Sequence, residues 1–198
     1  MNRPTTYQDL LTRTRALIET SDRVPVVGIS GHGGSGKSTL SERIGADLGL
    51  TADQVVPTDC FYATSRGPDA GMWEQHDWSM LKTLVKDVRR IPVPDRLRYE
   101  YRWWTGETGI EDQRMPPVLI IEGIRLFHER TRDWFDLAVW IDMDPVAAGA
   151  RAKARNVLQG DEQSELDLWD TKWIPEGHQY ESDVDPASLA DLVLPAEC

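Results

Sequence analysis

The chain has 198 residues, 40% hydrophobic and 28% charged, with a formal net charge of −11. That length supports one continuous core without disulfides or a structural metal, and no apolar run approaches the roughly 20 residues of a membrane helix, which argues against a membrane partner. The acidic balance repels a nucleic-acid backbone over most of the surface, so nucleic-acid binding is set aside and any anionic ligand needs a local basic pocket.

The start, MNRPTTYQDL, has no apolar h-region of an export signal, and a cytoplasmic protein is expected. Cys60 and Cys198 lie far apart without metal-ligand spacing, so both are read as free thiols. Leu10, Leu11, Ala16, Leu17 and Ile18 recur at near-helical spacing and predict a helix between Tyr7 and Thr20, and Val24 to Ile29 reads as a short buried strand. SGHGGSGKSTL follows, then a helical stretch to about Leu48 and a second strand over Gln54 to Thr58.

From Asp59 to Trp78 the chain is rich in Gly, Pro, Asp and aromatics without periodicity, the composition of a long functional loop. A helix is predicted over Trp78 to Arg89, and the alternation of Arg96 to Trp104 predicts a strand or hairpin. VLIIEG (Val118 to Gly123) and LAVWID (Leu137 to Asp142) are continuous apolar runs typical of strands covered on both faces, and ADLVL supplies a last strand. Strands alternating with helices imply an α/β fold, a doubly wound parallel sheet in one domain over 1–198, with ligands at the carboxyl ends of the strands.

GHGGSGKS fits GxxxxGK[ST]. In that pattern Gly31, Gly33, Gly34 and Gly36, with His32 and Ser35 between them, let backbone N–H groups wrap phosphates. Lys37 reaches the β and γ oxygens, and Ser38, followed by Thr39, offers a hydroxyl to Mg²⁺. The buried strand before it and the helix after it are the context the motif requires. Asp59 follows the second strand and is either a turn residue or a group facing the same crevice. Glu122 ends the run VLII, where an acid can hold Mg²⁺ or its water beside the phosphate loop.

The succession of GHGGSGKST, DCFY, an aromatic and acidic loop around WEQHDW, IIEG and a later Arg-rich helix resembles the uridine kinase family of P-loop kinases, from about Val24 to Leu194. The resemblance implies a P-loop kinase fold with a substrate-cleft insertion (about 59–105) and a lid (about 150–180) after an N-terminal helix (1–22). It implies that Asp59 is general base or orienting group for the acceptor hydroxyl, and that Arg151 and Arg155 close over the transferred phosphate, a task suited to planar guanidinium donors. Tyr62, His76, Asp77 and Tyr101 become candidate acceptor contacts, although His76 equally suits a packed loop and Asp77 a cap for the helix at Trp78. WIPEGHQY resembles a lid-proximal segment. Arg102 and Gly106 stand where family nucleoside kinases place Asp and His.

The expected activity is transfer of the γ-phosphoryl group of ATP, with Mg²⁺, to a hydroxyl of a small metabolite, with uridine or cytidine first. The alternatives are another acceptor, such as pantothenate, a nicotinamide riboside or a sugar, and a nucleotide-dependent switch. The absence of an NKxD motif opposes a GTPase. A homo-oligomer stays among the open alternatives.

Overall fold

The computed structural model describes residues 5–64 and 70–196. The Cys198 thiol, the first four residues and positions 65–69 of the long loop fall outside the described residues. In chain order the main elements are α1 (Tyr7–Thr20), β1 (Val26–Ser30), α2 (Lys37–Asp47), β2 (Val55–Pro57), α3 (Trp78–Val88), β3 (Arg96–Arg102) and β4 (Thr108–Arg114). They continue with β5 (Leu119–Gly123), β6 (Leu137–Asp142), α4 (Pro145–Gln159), α5 (Gln163–Leu168), α6 (Ile174–Val184) and β7 (Leu192–Pro195). Strand β1 starts two residues later than the sequence suggests, directly after Pro25, which has no N–H to give to a ladder.

A five-stranded sheet is ordered β2-β5-β1-β6-β7, and every pairing in it is parallel. Both of its faces are covered, as the unbroken apolar runs require. Along β5, Leu119 and Ile121 enter one core cluster while Ile120 enters the other, and along β6 Ala138 and Trp140 alternate with Leu137, Val139 and Ile141. Helix α1 adds Leu10 and Leu11 and α2 adds Ile44 to one cluster; α3 adds Leu81, Leu84, Val85 and Val88 to the other. Thr6 and Asp9 form a reciprocal capping box that fixes where α1 begins. No helix among the described residues is long and apolar enough to cross a membrane.

The alternating segment from Arg96 is one arm of an antiparallel hairpin, with β4 as the arm that periodicity alone did not show. Leu97 and Tyr99 are buried under it, whereas Arg96, Arg98 and Glu100 face solvent. The hairpin forms a sheet of its own.

Candidate active site

The glycine loop connects the C-terminal end of β1, buried throughout, to the first turn of α2. Gly34 and Gly36 both adopt left-handed backbone, φ 91° and 98°, and a Cβ on Gly34 would come within 2.1 Å of the Ala148 carbonyl oxygen. Helix α4 therefore lies directly on the loop, and only glycine allows that approach at that φ. A glycine loop that opens onto a helix N-terminus, as this one does at α2, is an arrangement that attracts phosphate. Lys37, 8% exposed, donates from Nζ to the His32 carbonyl at 2.9 Å. Burial pushes its ammonium pKa down; Glu122 and Asp59 act against that shift, and Arg155 adds to it. The Ser35 hydroxyl is buried without a hydrogen-bond partner among the described residues.

Two carboxylates act on this lysine from the ends of adjacent parallel strands. Glu122, next to last in β5, accepts from the Ser38 hydroxyl at 3.0 Å, and burial pushes its carboxyl pKa up against the pull of Lys37. Asp59 sits in a one-turn 3-10 helix, Thr58–Cys60, that begins where β2 stops. That turn lies hard against β5: a Cβ on Gly123 would meet the Thr58 hydroxyl at 1.9 Å, so the glycine of IIEG is what lets Asp59 stand beside Glu122. The Cys60 thiol is buried and free, and burial pushes its pKa up to about 12.

Arg151 and Arg155 share a face of α4 but reach different places. Arg151 lines a cavity of about 360 Å³ with Ser35, Gly36, Thr39, Tyr7 and Leu194, at the outer side of the loop. Arg155 acts electrostatically on Lys37 and donates to the Asn156 side-chain oxygen at 3.2 Å. The WIPEGHQY segment forms α6, which is clamped to the site. His32 Nε2 lies 2.9 Å from Glu181, and Arg125, buried at positive φ just after β5, ion-pairs with Glu176 at 2.5 Å and donates to the Met72 carbonyl. Burial pushes the His32 imidazole pKa down, Glu181 opposing. Sequence reading missed Arg125, Glu176 and Glu181 as a group. The available signal was the arginine two residues after IIEG, whose partners lie about fifty residues away.

Directly after Asp59, the chain from Phe61 to Ala63 runs antiparallel to 75–77. Asp77 donates its N–H to Phe61, Ala63 donates to Gln75, and Tyr62 bridges His76. The Tyr62 and His76 rings stack, centroids 5.0 Å apart. Asp77 caps α3, one carboxylate oxygen accepting from the Ser79 and Met80 N–H groups. Tyr101, half-buried on β3, lies 6.3 Å from the Trp103 ring, and Arg102 donates to the Tyr62 carbonyl at 3.1 Å. The loop residues and the hairpin thus meet next to Asp59, with Phe61 bridged to Arg102.

No family model matches the chain. A uridine kinase of Limosilactobacillus reuteri is 27% identical over 194 residues, covering 90% of this chain and 86% of that protein. A uridine kinase of Lactiplantibacillus plantarum is 25% identical over 194 residues, covering 90% of each. Among solved structures, a proposed fructose transport system kinase from Silicibacter sp. superposes with a TM-score of 0.73 at 19% identity over 96% of this chain and 100% of that one. A possible uridine kinase from Bacillus stearothermophilus does so with 0.63 at 18% identity over 95% and 97%. The chain has the fold of the P-loop kinases, and in sequence it resembles the uridine kinase family, whose name its curated homologues carry.

Proposed function

We propose that this chain is an ATP-dependent kinase that moves the γ-phosphoryl group to a hydroxyl of a small metabolite, with uridine or cytidine as first acceptor. The observation that carries the reading is Lys37: a buried ammonium held by the His32 carbonyl of the glycine loop, on which Glu122 and Asp59 act from two strand ends. Desolvation disfavours the charged form of a buried ammonium, and a polyanion entering beside it favours that form; a glycine loop leading into a helix N-terminus attracts such an anion.

Ser38 and Glu122 give two adjacent oxygen donors, the kind Mg²⁺ accepts while keeping waters and phosphate oxygens for its other positions. Bound magnesium ATP supplies the transferable phosphoryl group. Lys37 and the loop N–H groups hold the β and γ oxygens in place, so the charge they stabilise is preorganised. Arg155, on the same side as Lys37, adds a permanent charge near the moving phosphoryl group, while Arg151 borders the outer cavity and suits the nucleoside end of ATP. Asp59 orients the acceptor hydroxyl and takes its proton, late if the transition state is loose. Tyr62 and Tyr101 furnish ring faces on which a flat acceptor packs.

A kinase for another small alcohol is the second reading, favoured by Arg102, whose guanidinium occupies the rim of the acceptor side beside Tyr62. Incubation with magnesium ATP and a panel of nucleosides, sugars and pantothenate, followed by ADP release and acceptor depletion, separates the two. ADP release that no acceptor stimulates would overturn the kinase reading in favour of a nucleotide switch.

A further inference from the structure

His76 is buried, its side chain 3% exposed, and its Nε2 has no hydrogen-bond partner among the described residues. A buried polar nitrogen left unpaired costs folding free energy, so a persistent one calls for an explanation. The antiparallel pairing of 61–63 with 75–77 sets His76 opposite Tyr62, and residues so paired share a face. Tyr62 stacks on the imidazole at an interplanar angle of 24°, and Trp78 lies 5.7 Å away on a tilted plane. The ring is thereby fixed in orientation, and Nε2 ends 3.8 Å from Asp59 Oδ1.

We propose that His76 is the positioning residue of Asp59: its Nε2–H donates to one carboxylate oxygen and so turns the other toward the acceptor hydroxyl. The inference rests on the role proposed above for Asp59. A separation of 3.8 Å is longer than a hydrogen bond, and closing it takes a shift of about 1 Å. Asp59 has that freedom, since its side chain is 59% exposed and stands on a single 3-10 turn, whereas His76 is packed. Catalytic hydrogen bonds that are long in the free protein commonly tighten when ligands bind. A rigid aromatic-clamped donor next to an exposed acid is the arrangement needed to select one carboxylate rotamer.

The test compares His76→Phe, which keeps the ring and removes the donor, with His76→Gln, whose amide nitrogen reaches near the Nε2 position. With magnesium ATP and uridine, His76→Phe is expected to lower kcat by about ten- to a hundredfold at unchanged ATP affinity and melting temperature, and His76→Gln to recover most of it. Added to Asp59→Asn, His76→Phe is expected to cause no further loss, because it acts through the missing carboxylate. A full additional loss in that double variant, or His76→Gln as impaired as His76→Phe, would overturn the proposal. An Asp59→Asn variant as active as the parent would instead overturn the base role of Asp59. Should uridine not be an acceptor, imidazole ¹⁵N spectra of the full chain with magnesium ATP decide. A His76 Nε2 resonance that moves on Asp59→Asn supports the contact, and one that stays put refutes it.

Discussion

The proposed phosphate side and the proposed acceptor side of the cleft are built in different ways. The glycine loop hangs from a strand buried along its whole length, is pressed by α4 at Gly34, and holds a lysine that is almost inaccessible. The acceptor side consists of a one-turn helix, a three-residue antiparallel contact and a hairpin that forms a separate sheet, with Asp59 more than half exposed. Phosphate geometry is common to every nucleotide, so a rigid backbone cradle serves it; acceptors differ, and their recognition resides on loops that vary without disturbing the core.

The comparison breaks most directly at Lys37. Lys37→Ala is expected to lower turnover by roughly 10²–10³ in a protein that still folds, the loss typical of removing a preorganised electrostatic contact. Turnover and circular dichroism measured together check it, and near-normal turnover would remove the loop from the chemistry. Asp59→Asn comes next, with acceptor phosphorylation reduced at least about a hundredfold while ATP affinity, read by fluorescence titration, stays put. Were ATP affinity to fall instead, Asp59 would belong with the phosphate side.

A smaller effect separates the two arginines of α4. Arg155 acts on Lys37 and Arg151 lines the outer cavity, so Arg155→Ala should reduce kcat about tenfold, whereas Arg151→Ala should mainly raise the KM for ATP. Only contacts that strengthen in the transition state accelerate chemistry. Equal effects on kcat would mean that both arginines close over the phosphate, as the resemblance alone implies.

The same division explains what could be read from the sequence. β6 was legible to the residue because LAVWID is apolar on both faces, and α1 because its apolar residues recur at near-helical spacing. The phosphate loop was legible because its glycines, lysine and hydroxyl are consecutive. The convergence of Glu122 and Asp59 depends on a close approach at Gly123, where a small residue after the acid was visible but its neighbour Thr58 was not. The Arg125–Glu176 and His32–Glu181 contacts and the His76–Asp59 approach join residues 51, 149 and 17 positions apart. No periodic pattern encodes such pairs, since they follow from register and packing.

Asp77 gives the smallest and sharpest test, because both sides of the comparison can claim it. Its carboxylate accepts from the Ser79 and Met80 N–H groups and from the Ser79 hydroxyl, satisfying donors that α3 cannot pair internally. Burial alone would push its carboxyl pKa up, but those hydrogen bonds outweigh it and hold the pKa below the usual carboxylate range. A carboxyl depressed in the folded state stabilises above its unfolded pKa, about 3.9, and the contribution fades as pH falls through the lower folded value. Asp77→Ala is therefore expected to destabilise by about 1 kcal/mol at neutral pH, a Tm decrease of about 2–4 °C, with the difference from the parent narrowing in acid. Asp77→Asn retains an accepting oxygen and an equally good cap, so it should remain near the parent in stability at neutral pH. Both variants should keep the parental kcat and acceptor KM once corrected for the folded fraction. An Asp77→Asn protein of normal stability whose acceptor KM rises severalfold would place Asp77 in the acceptor site, and the boundary between scaffold and recognition would then run through the first turn of α3.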